Sequence, residues 1–501
     1  MKRLFSTRRL RLLASLTLAP SLAVALAATV TPSPASAAIQ QFIRRQPPVG
    51  MQLAWLMTDG SVLAQSNAGN TWYKYTPDIT GSYADGTWTQ VGSLQSGYAP
   101  SAFSSAVLAD GRLAIIGGEY NAGGPYQLQL TNLGAIYNPH TAAWTPLGHP
   151  AGWHFIGDSP NTVLPSGQMV VGQKLTESAA YLDPKSLGWT KLVTTGKSDF
   201  NSEEGWVLLP DGSILTEDVK NAPNAERFVP GQGWVNAGNT IVDLHSPSPY
   251  TKCLQYGPKK RDCYLPPGEI GPAMLRPDGT VFATGSGSGP SGYGAGHTAI
   301  YHTLGSQAGT WTVGPDFPNG DDAGDSFASL MPSGNVLVFG VTGTLYEFDG
   351  TKFTQTGSWN GSPLLLPTGQ VLILGYSASL YTPAGQPQAA WLPTVSSVSK
   401  KLTRGHTYMV AGTQFNGLSQ AMAFGDEYQN ATNYPLVRIT NHATGHVFYA
   451  MTHDHSTMGV QTGSATVSTH FDVPAGMETG ASMLQVVANG IASSPVNVTV
   501  H

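Results

Sequence analysis

Charge is scarce in this chain: charged residues make up 11 % of its 501 positions, against roughly 25 % in an ordinary soluble protein. Uninterrupted helix-length stretches are also few, because 59 glycines and 36 prolines punctuate the sequence. Together these shortages exclude a helical bundle, a coiled coil and a disordered acidic tail, and favour many short strands joined by turns. Beyond the N-terminus no segment reaches the ~20 apolar residues that a bilayer crossing needs. Cysteine is limited to Cys253 and Cys263. A metal site would need more soft ligands, so the pair is expected to form one local disulfide within a Lys/Pro/Tyr-rich insertion.

The first 37 residues carry five basic side chains and no acidic one; without them 20 basic residues face 30 acidic ones. A nucleic-acid binder would show the opposite balance, so no nucleic-acid partner is expected. Lys2, Arg3, Arg8, Arg9 and Arg11 precede an apolar run from Leu12 to about Val30, followed by Ala35-Ser36-Ala37. That order is the one a secretory signal peptide has, with cleavage before Ala38. A retained anchor is the competing reading, but Ser21 breaks the run and Pro32 and Pro34 end it. Residues 1–37 are therefore expected to be removed, leaving a secreted, extracellular monomer with no membrane span.

A turn signal recurs seven times: Asp59-Gly60, Asp110-Gly111, Ser166-Gly167, Asp211-Gly212, Asp278-Gly279, Ser333-Gly334 and Thr368-Gly369. Apolar runs such as Trp206–Leu209 precede these pairs, and others such as Leu113–Ile116 and Val371–Leu374 follow them. A third segment carries an aromatic, as at Tyr137 and Tyr381, and a fourth a tryptophan: Trp88, Trp144, Trp189, Trp234 and Trp311, with Phe353 in the sixth copy. Four strands per ~40–50-residue unit is a β-propeller blade. The seventh copy lacks its fourth strand, and residues near Gln40–Arg45 are expected to supply it. The sequence thus predicts an all-β chain. A seven-bladed β-propeller spans 46–385, and short strands over 390–501 form an immunoglobulin-like β-sandwich.

This layout resembles the galactose oxidase and glyoxal oxidase family and, more broadly, kelch-type bacterial propellers. Gly117-Gly118 matches the kelch double glycine, and Ala423-Phe424-Gly425 leading to Tyr434-Pro435-Leu436 is similar to the family's final-domain hairpin. The resemblance implies an oxidase with one copper held by two tyrosines and two histidines, one tyrosine being crosslinked to cysteine. Here both cysteines fall between blades four and five. No histidine stands near Glu427-Tyr428-Gln429, and the tyrosine of Tyr301-His302 occupies the ordinary third-strand aromatic position. The fold is expected to carry over; a copper-radical centre is not.

Nine residues before each turn glycine lie Met51, Ala102, Asp158, Glu203, Ile270, Asp325 and Asn360, with Glu204 and Glu269 one position off. Equivalent positions of the inner strands encircle the axis at one mouth. Asp158, Glu203, Glu204, Glu269, Asp325 and Asn360, with His154 in a loop on that face, are therefore candidate ligand-binding residues. Tyr98 and Trp153 are candidate stacking partners. Such a ring suits a hard cation such as calcium, sugar hydroxyls, or an acid/base pair acting on a glycosidic bond; it also suits a merely solvated rim. His453 and His455, two apart, are candidate metal ligands if they share a strand face. The favoured reading is a secreted propeller that binds carbohydrate or a surface polymer. A glycan hydrolase or lyase using the funnel acids, and an oxidase with an altered metal site, stay open as alternatives.

Overall fold

The computed structural model of the chain describes residues 39–123, 130–246, 252–257, 260–264, 268–287, 296–424 and 428–501. The expected signal peptide lies outside them. Seven four-stranded antiparallel units follow one another, and they repeat the sequence register turn for turn. All seven turn glycines have positive φ, between 74° and 87°, where an L side chain would be strained. Each donates its amide to the carbonyl three residues earlier, from Gly60 to Met57 at 2.9 Å through to Gly369 to Leu366 at 2.9 Å. The repeated aromatics are cross-strand partners. Tyr75 stands opposite Trp88, Tyr137 opposite Trp144, Phe228 opposite Trp234 and Tyr301 opposite Trp311. Their rings lie 4.5–5.6 Å apart, the geometry in which aromatic pairs add to simple burial.

The ring closes through the N-terminal end of the described chain. Blade seven takes Ser362–Leu365, Val371–Leu374 and Ala378–Thr382 from the end of the propeller, and its outer strand is Ile39–Phe42, paired antiparallel so that Ile39 faces Thr382 and Phe42 faces Ser379. Between blades four and five a two-stranded hairpin, Lys252–Gly257 and Lys260–Tyr264, places Cys253 directly opposite Cys263. Among the described residues no helix is long and apolar enough to cross a membrane.

From Thr394 to Val500 the strands form one curled nine-stranded sheet around its own apolar core, which includes Val410, Phe415, Val437, Phe471, Leu484 and Val498. The strand Val447–His453 turns the corner. Its first half pairs with Leu436–Asn441 and its second half with Val467–Asp472. Alternating burial along Gly480–Ala488 marks the face turned inward.

This second region also enters the propeller. Met422–Phe424 pairs antiparallel with Phe327–Leu330, the innermost strand of blade six, so that blade has five strands. The returning limb then tracks the inner strand of blade one, Met51–Leu56. Gln52 donates to the Tyr428 hydroxyl at 3.3 Å, Asn430 Nδ2 donates to the Ala54 carbonyl at 3.1 Å, and the Tyr434 hydroxyl donates to the Leu56 carbonyl. Gln420 and Gln429 add bonds to the inner strands of blades three and four, at Thr162, Leu208 and Trp206. The two limbs run up and back along the channel, and Phe424 and Tyr428 stand at the end away from the turn glycines.

Candidate functional site

At that end lies a pocket of about 310 Å³ lined by Gln52, Ser101, Ala102, Glu119, Tyr120, Asp158, Glu203, Glu269, Asp325, Phe424 and Tyr428. Asp158, Glu203 and Asp325, at the repeat position, and Glu269, one residue off it, all line this pocket. Their shared position leaves a mark on the backbone. Ala102, Glu203 and Asp325 have φ of 50°, 57° and 51°, and Asp158 follows Gly157 at 81°. A left-handed turn at the head of the inner strand aims these residues at the axis. For a non-glycine residue it costs about 1–2 kcal/mol.

The acids differ in depth. Asp158 and Glu203 are 2 % and 5 % exposed, Glu269 is half-buried and Asp325 exposed. The deep pair is bridged by Lys174, itself buried, whose Nζ lies 2.5 Å from Asp158 Oδ2 and 2.6 Å from Glu203 Oε1. Burial works against a charge on Lys174, but Asp158, Glu203 and Glu119 together hold it protonated, well above the usual lysine range. Burial likewise pushes the Asp158 carboxyl well up, against the pull of Lys174 and with a further push from Glu119 and Glu203. Asp158 Oδ1 has no hydrogen-bond partner. One ammonium thus serves three buried carboxylates, and Asp158 is the group best placed to hold a proton.

Several expected residues stand elsewhere. Glu204, one position from the register, is turned into blade four, where it is fully buried. It pairs with Lys197 at 3.1 Å and accepts from Thr216 and Trp206. It directly follows Glu203, and consecutive residues of an extended chain point to opposite sides. Asn360 and His154 are exposed and do not line the pocket. Tyr98 and Trp153 are buried, and the Tyr98 hydroxyl donates to the Gly117 carbonyl at 3.0 Å, so neither is a stacking platform. Tyr120, 42 % exposed, lines the pocket instead.

His453 and His455 do not share a face either, because Asp454 between them has φ of 50° and ends the strand. His455 is buried, stacked on Tyr434 and bonded to Thr469 at 2.8 Å, and burial pushes its pKa down to about 3. His453 is held by Asp454 at 2.8 Å. Among the described residues no three His, Cys, Asp or Glu side chains form a group that could hold a metal ion. Within the pocket the Lys174 ammonium takes the place between Asp158 and Glu203 where a calcium ion would gather ligands. Copper fits no better. The described lining has no histidine or cysteine, and an all-oxygen donor set is not what copper–imidazole chemistry requires. Tyr301, buried against Trp311 in blade five, lies outside this lining.

Sequence reasoning missed Lys174, Glu119, Tyr120 and the two aromatics of the second region. Glu119 and Tyr120 directly follow the double glycine Gly117-Gly118, which was a readable signal, whereas Lys174 lies two residues beyond the buried run Met169–Gly172 with no counterpart in the other blades.

No protein-family model matches the chain, and no curated protein matches it. Among solved structures it is similar to a fungal alcohol oxidase of the AA5 family, in complex with copper, at 14 % identity over 92 % of this chain and 98 % of that one, with a TM-score of 0.48. It is also similar to virginiamycin B lyase from Staphylococcus aureus, at 10 % identity over 69 % and 98 %, TM-score 0.42. A third is YCF48 from Cyanidioschyzon merolae, at 10 % identity over 69 % and 98 %, TM-score 0.40. None of the three lends a residue role to this chain.

Proposed function

We propose that the chain is an exported protein whose propeller binds a carbohydrate, free or as part of a surface polymer, at the acidic pocket. The observation that carries this reading is the composition of the lining. Carboxylates from blades two to six surround one exposed aromatic, Tyr120, with Gln52 and Ser101 beside them. Carboxylates and amides accept and donate to hydroxyl groups, while an aromatic face takes the apolar face of a sugar ring. The pocket is at the small end of the roughly 300–1,000 Å³ range of ligand sites, a size suited to one ring rather than a long buried segment.

A glycan array probed with the full exported chain, followed by calorimetric titration of the hits, tests the proposal. Binding is expected for the parent and is expected to weaken in Tyr120→Ala and Asp325→Asn. Binding that both variants retain in full would place the contact elsewhere.

A second reading, a glycan hydrolase or lyase, is favoured by one observation: a buried carboxyl, Asp158, that tends to keep its proton beside ionised neighbours. A proton-holding acid is what general-acid cleavage of a glycosidic bond requires. New reducing ends or unsaturated products, lost in Asp158→Asn, would move the assignment from binding to catalysis.

A further inference from the structure

The outer face of the C-terminal sheet carries a cluster that the pocket does not use. Along Val467–Asp472, Val467, Thr469 and Phe471 are buried, so Ser468, His470 and Asp472 lie on the outer face. Register then sets the neighbours of His470. Met409, in the strand Thr407–Thr413, pairs with it on one side, and His453 pairs with it on the other. Directly paired residues of antiparallel strands share a face, with Cα atoms about 4.5–5.5 Å apart. Met451, opposite Asp472, stands one row along on the same face. Two imidazoles and two thioethers therefore meet on one patch of sheet.

Packing does not account for the methionines. Met409 is 53 % exposed, and neither it nor Met451 joins the apolar core beneath. The imidazoles, for their part, are oriented. The rings of His453 and His470 stack 5.8 Å apart, 20° from parallel. His453 Nδ1 lies 2.8 Å from Asp454 Oδ2. A carboxylate only accepts, so Nδ1 carries the hydrogen of that bond, and in the neutral ring Nε2 keeps its lone pair. That Nε2 lies 3.5 Å from Asp472 Oδ1, which also accepts from Thr407 at 2.5 Å. Two acceptors facing each other in this way favour a cation between or beside them. His470 Nδ1 is buried without a partner, so Nε2 is the nitrogen left to face outward.

Among the described residues no three His, Cys, Asp or Glu side chains form a group that could hold a metal ion. A site on this patch therefore depends on methionine sulfur, and sulfur selects the metal. Thioethers are soft ligands that suit Cu(I), and imidazole suits copper as well. Calcium and magnesium take oxygen ligands, and zinc takes thiolate, imidazole or carboxylate. We infer that His453, His470 and Met409, with Met451 beside them, form a surface site for one Cu(I) ion, separate from the acidic pocket. Asp454 is its positioning residue, acting through His453 Nδ1.

The test titrates the full chain without oxygen with Cu(I), against a chelator of known Cu(I) affinity, and in parallel with Zn(II). X-ray absorption then reads the atoms bonded to copper. One copper per chain is expected, bonded to both nitrogen and sulfur. His470→Ala should weaken Cu(I) binding by at least about tenfold, the loss that even an orienting residue of a metal site produces. Asp454→Ala should weaken it as well, and Asp454→Asn, whose amide oxygen still accepts from Nδ1, should recover part of the loss. Met409→Leu/Met451→Leu conserves side-chain volume, so the chain still folds; it should lose the sulfur signal and much of the affinity. Copper bound as tightly by His470→Ala as by the parent, or no copper bound by the parent, would overturn the site. Copper bonded to nitrogen and oxygen alone, or zinc bound more tightly than Cu(I), would overturn the choice of metal.

Discussion

The Tyr428 hydroxyl accepts a hydrogen bond from the Ala102 amide at 2.8 Å, across 326 residues of sequence. This one contact joins the C-terminal region to the head of the inner strand of blade two, at a ring position whose φ is 50°. The pocket is therefore built by both parts of the chain: the propeller supplies the acids, and the inserted limbs supply its aromatic end.

Replacing Tyr428 with Phe keeps the ring packed against Phe103 and Phe424 but removes the acceptor. A stability loss of about 1 kcal/mol is expected, read as a lower denaturant midpoint with an unchanged slope. An unaltered midpoint would mean that the bond contributes nothing to holding the strained turn.

Closure of the ring depends on one buried side chain more than on the exposed strand beside it. Ile43 is 2 % exposed and donates its amide to the Ala378 carbonyl, while Phe42 is 72 % exposed. Ile43→Ala should cost about 2–5 kcal/mol, and Phe42→Ala less than about 0.5 kcal/mol. Equal effects in denaturant unfolding would contradict this view of the closure.

Blade four gives the protein a pH dependence of definite sign. Burial pushes Glu217 and Asp218 up to about 8, and Glu204 up to about 7 against the pull of Lys197. Between the ordinary carboxylate range near 4 and those values, the folded chain holds protons that the unfolded chain has released. The contribution of these groups to stability therefore falls as pH rises through that window and is flat above it. His455 acts oppositely but only below about 6.5, since its pKa is depressed. From pH 6.5 to 8.5 the denaturant midpoint should fall in the parent and fall less in Glu217→Gln/Asp218→Asn. A parental midpoint that rises over this interval would refute the sign.

If the chain is exported as proposed, Cys253 and Cys263, opposite each other on their hairpin, are expected to be bonded and the first residue of the secreted form is expected to be Ala38. Intact-mass analysis with and without reduction and alkylation checks both. A longer N-terminus, or two thiols that label without reductant, would contradict them.

What was legible in the sequence was whatever the repeat writes seven times. The turn glycines and the inner-strand positions nine residues before them recur at a fixed offset, and the third- and fourth-strand aromatics recur in the same order, so one copy explains the next. Three pocket acids, Asp158, Glu203 and Asp325, were found at the repeat offset, and Glu269 one position from it. Glu204 was misplaced because it directly follows Glu203, the residue that does face the pocket, and its side chain turns into blade four instead. Lys174 was not found because no other blade has a lysine at the equivalent place, and a unique residue leaves no periodic trace. The limbs formed by Met422–Phe424 and the chain after Tyr428 were hidden for another reason. Their partners, from Gln52 to Phe327, are distant in sequence, and nothing local to Tyr428 announces a contact with Ala102.

The most direct test of the central claim, that the acidic mouth is the ligand site, is hydrogen–deuterium exchange of the full chain with and without the best-binding glycan. Protection is expected in peptides covering 100–103, 117–121 and 424–430, and should be lost in Asp325→Asn at the same glycan concentration. Protection confined to other segments, with these three unchanged, would contradict the account.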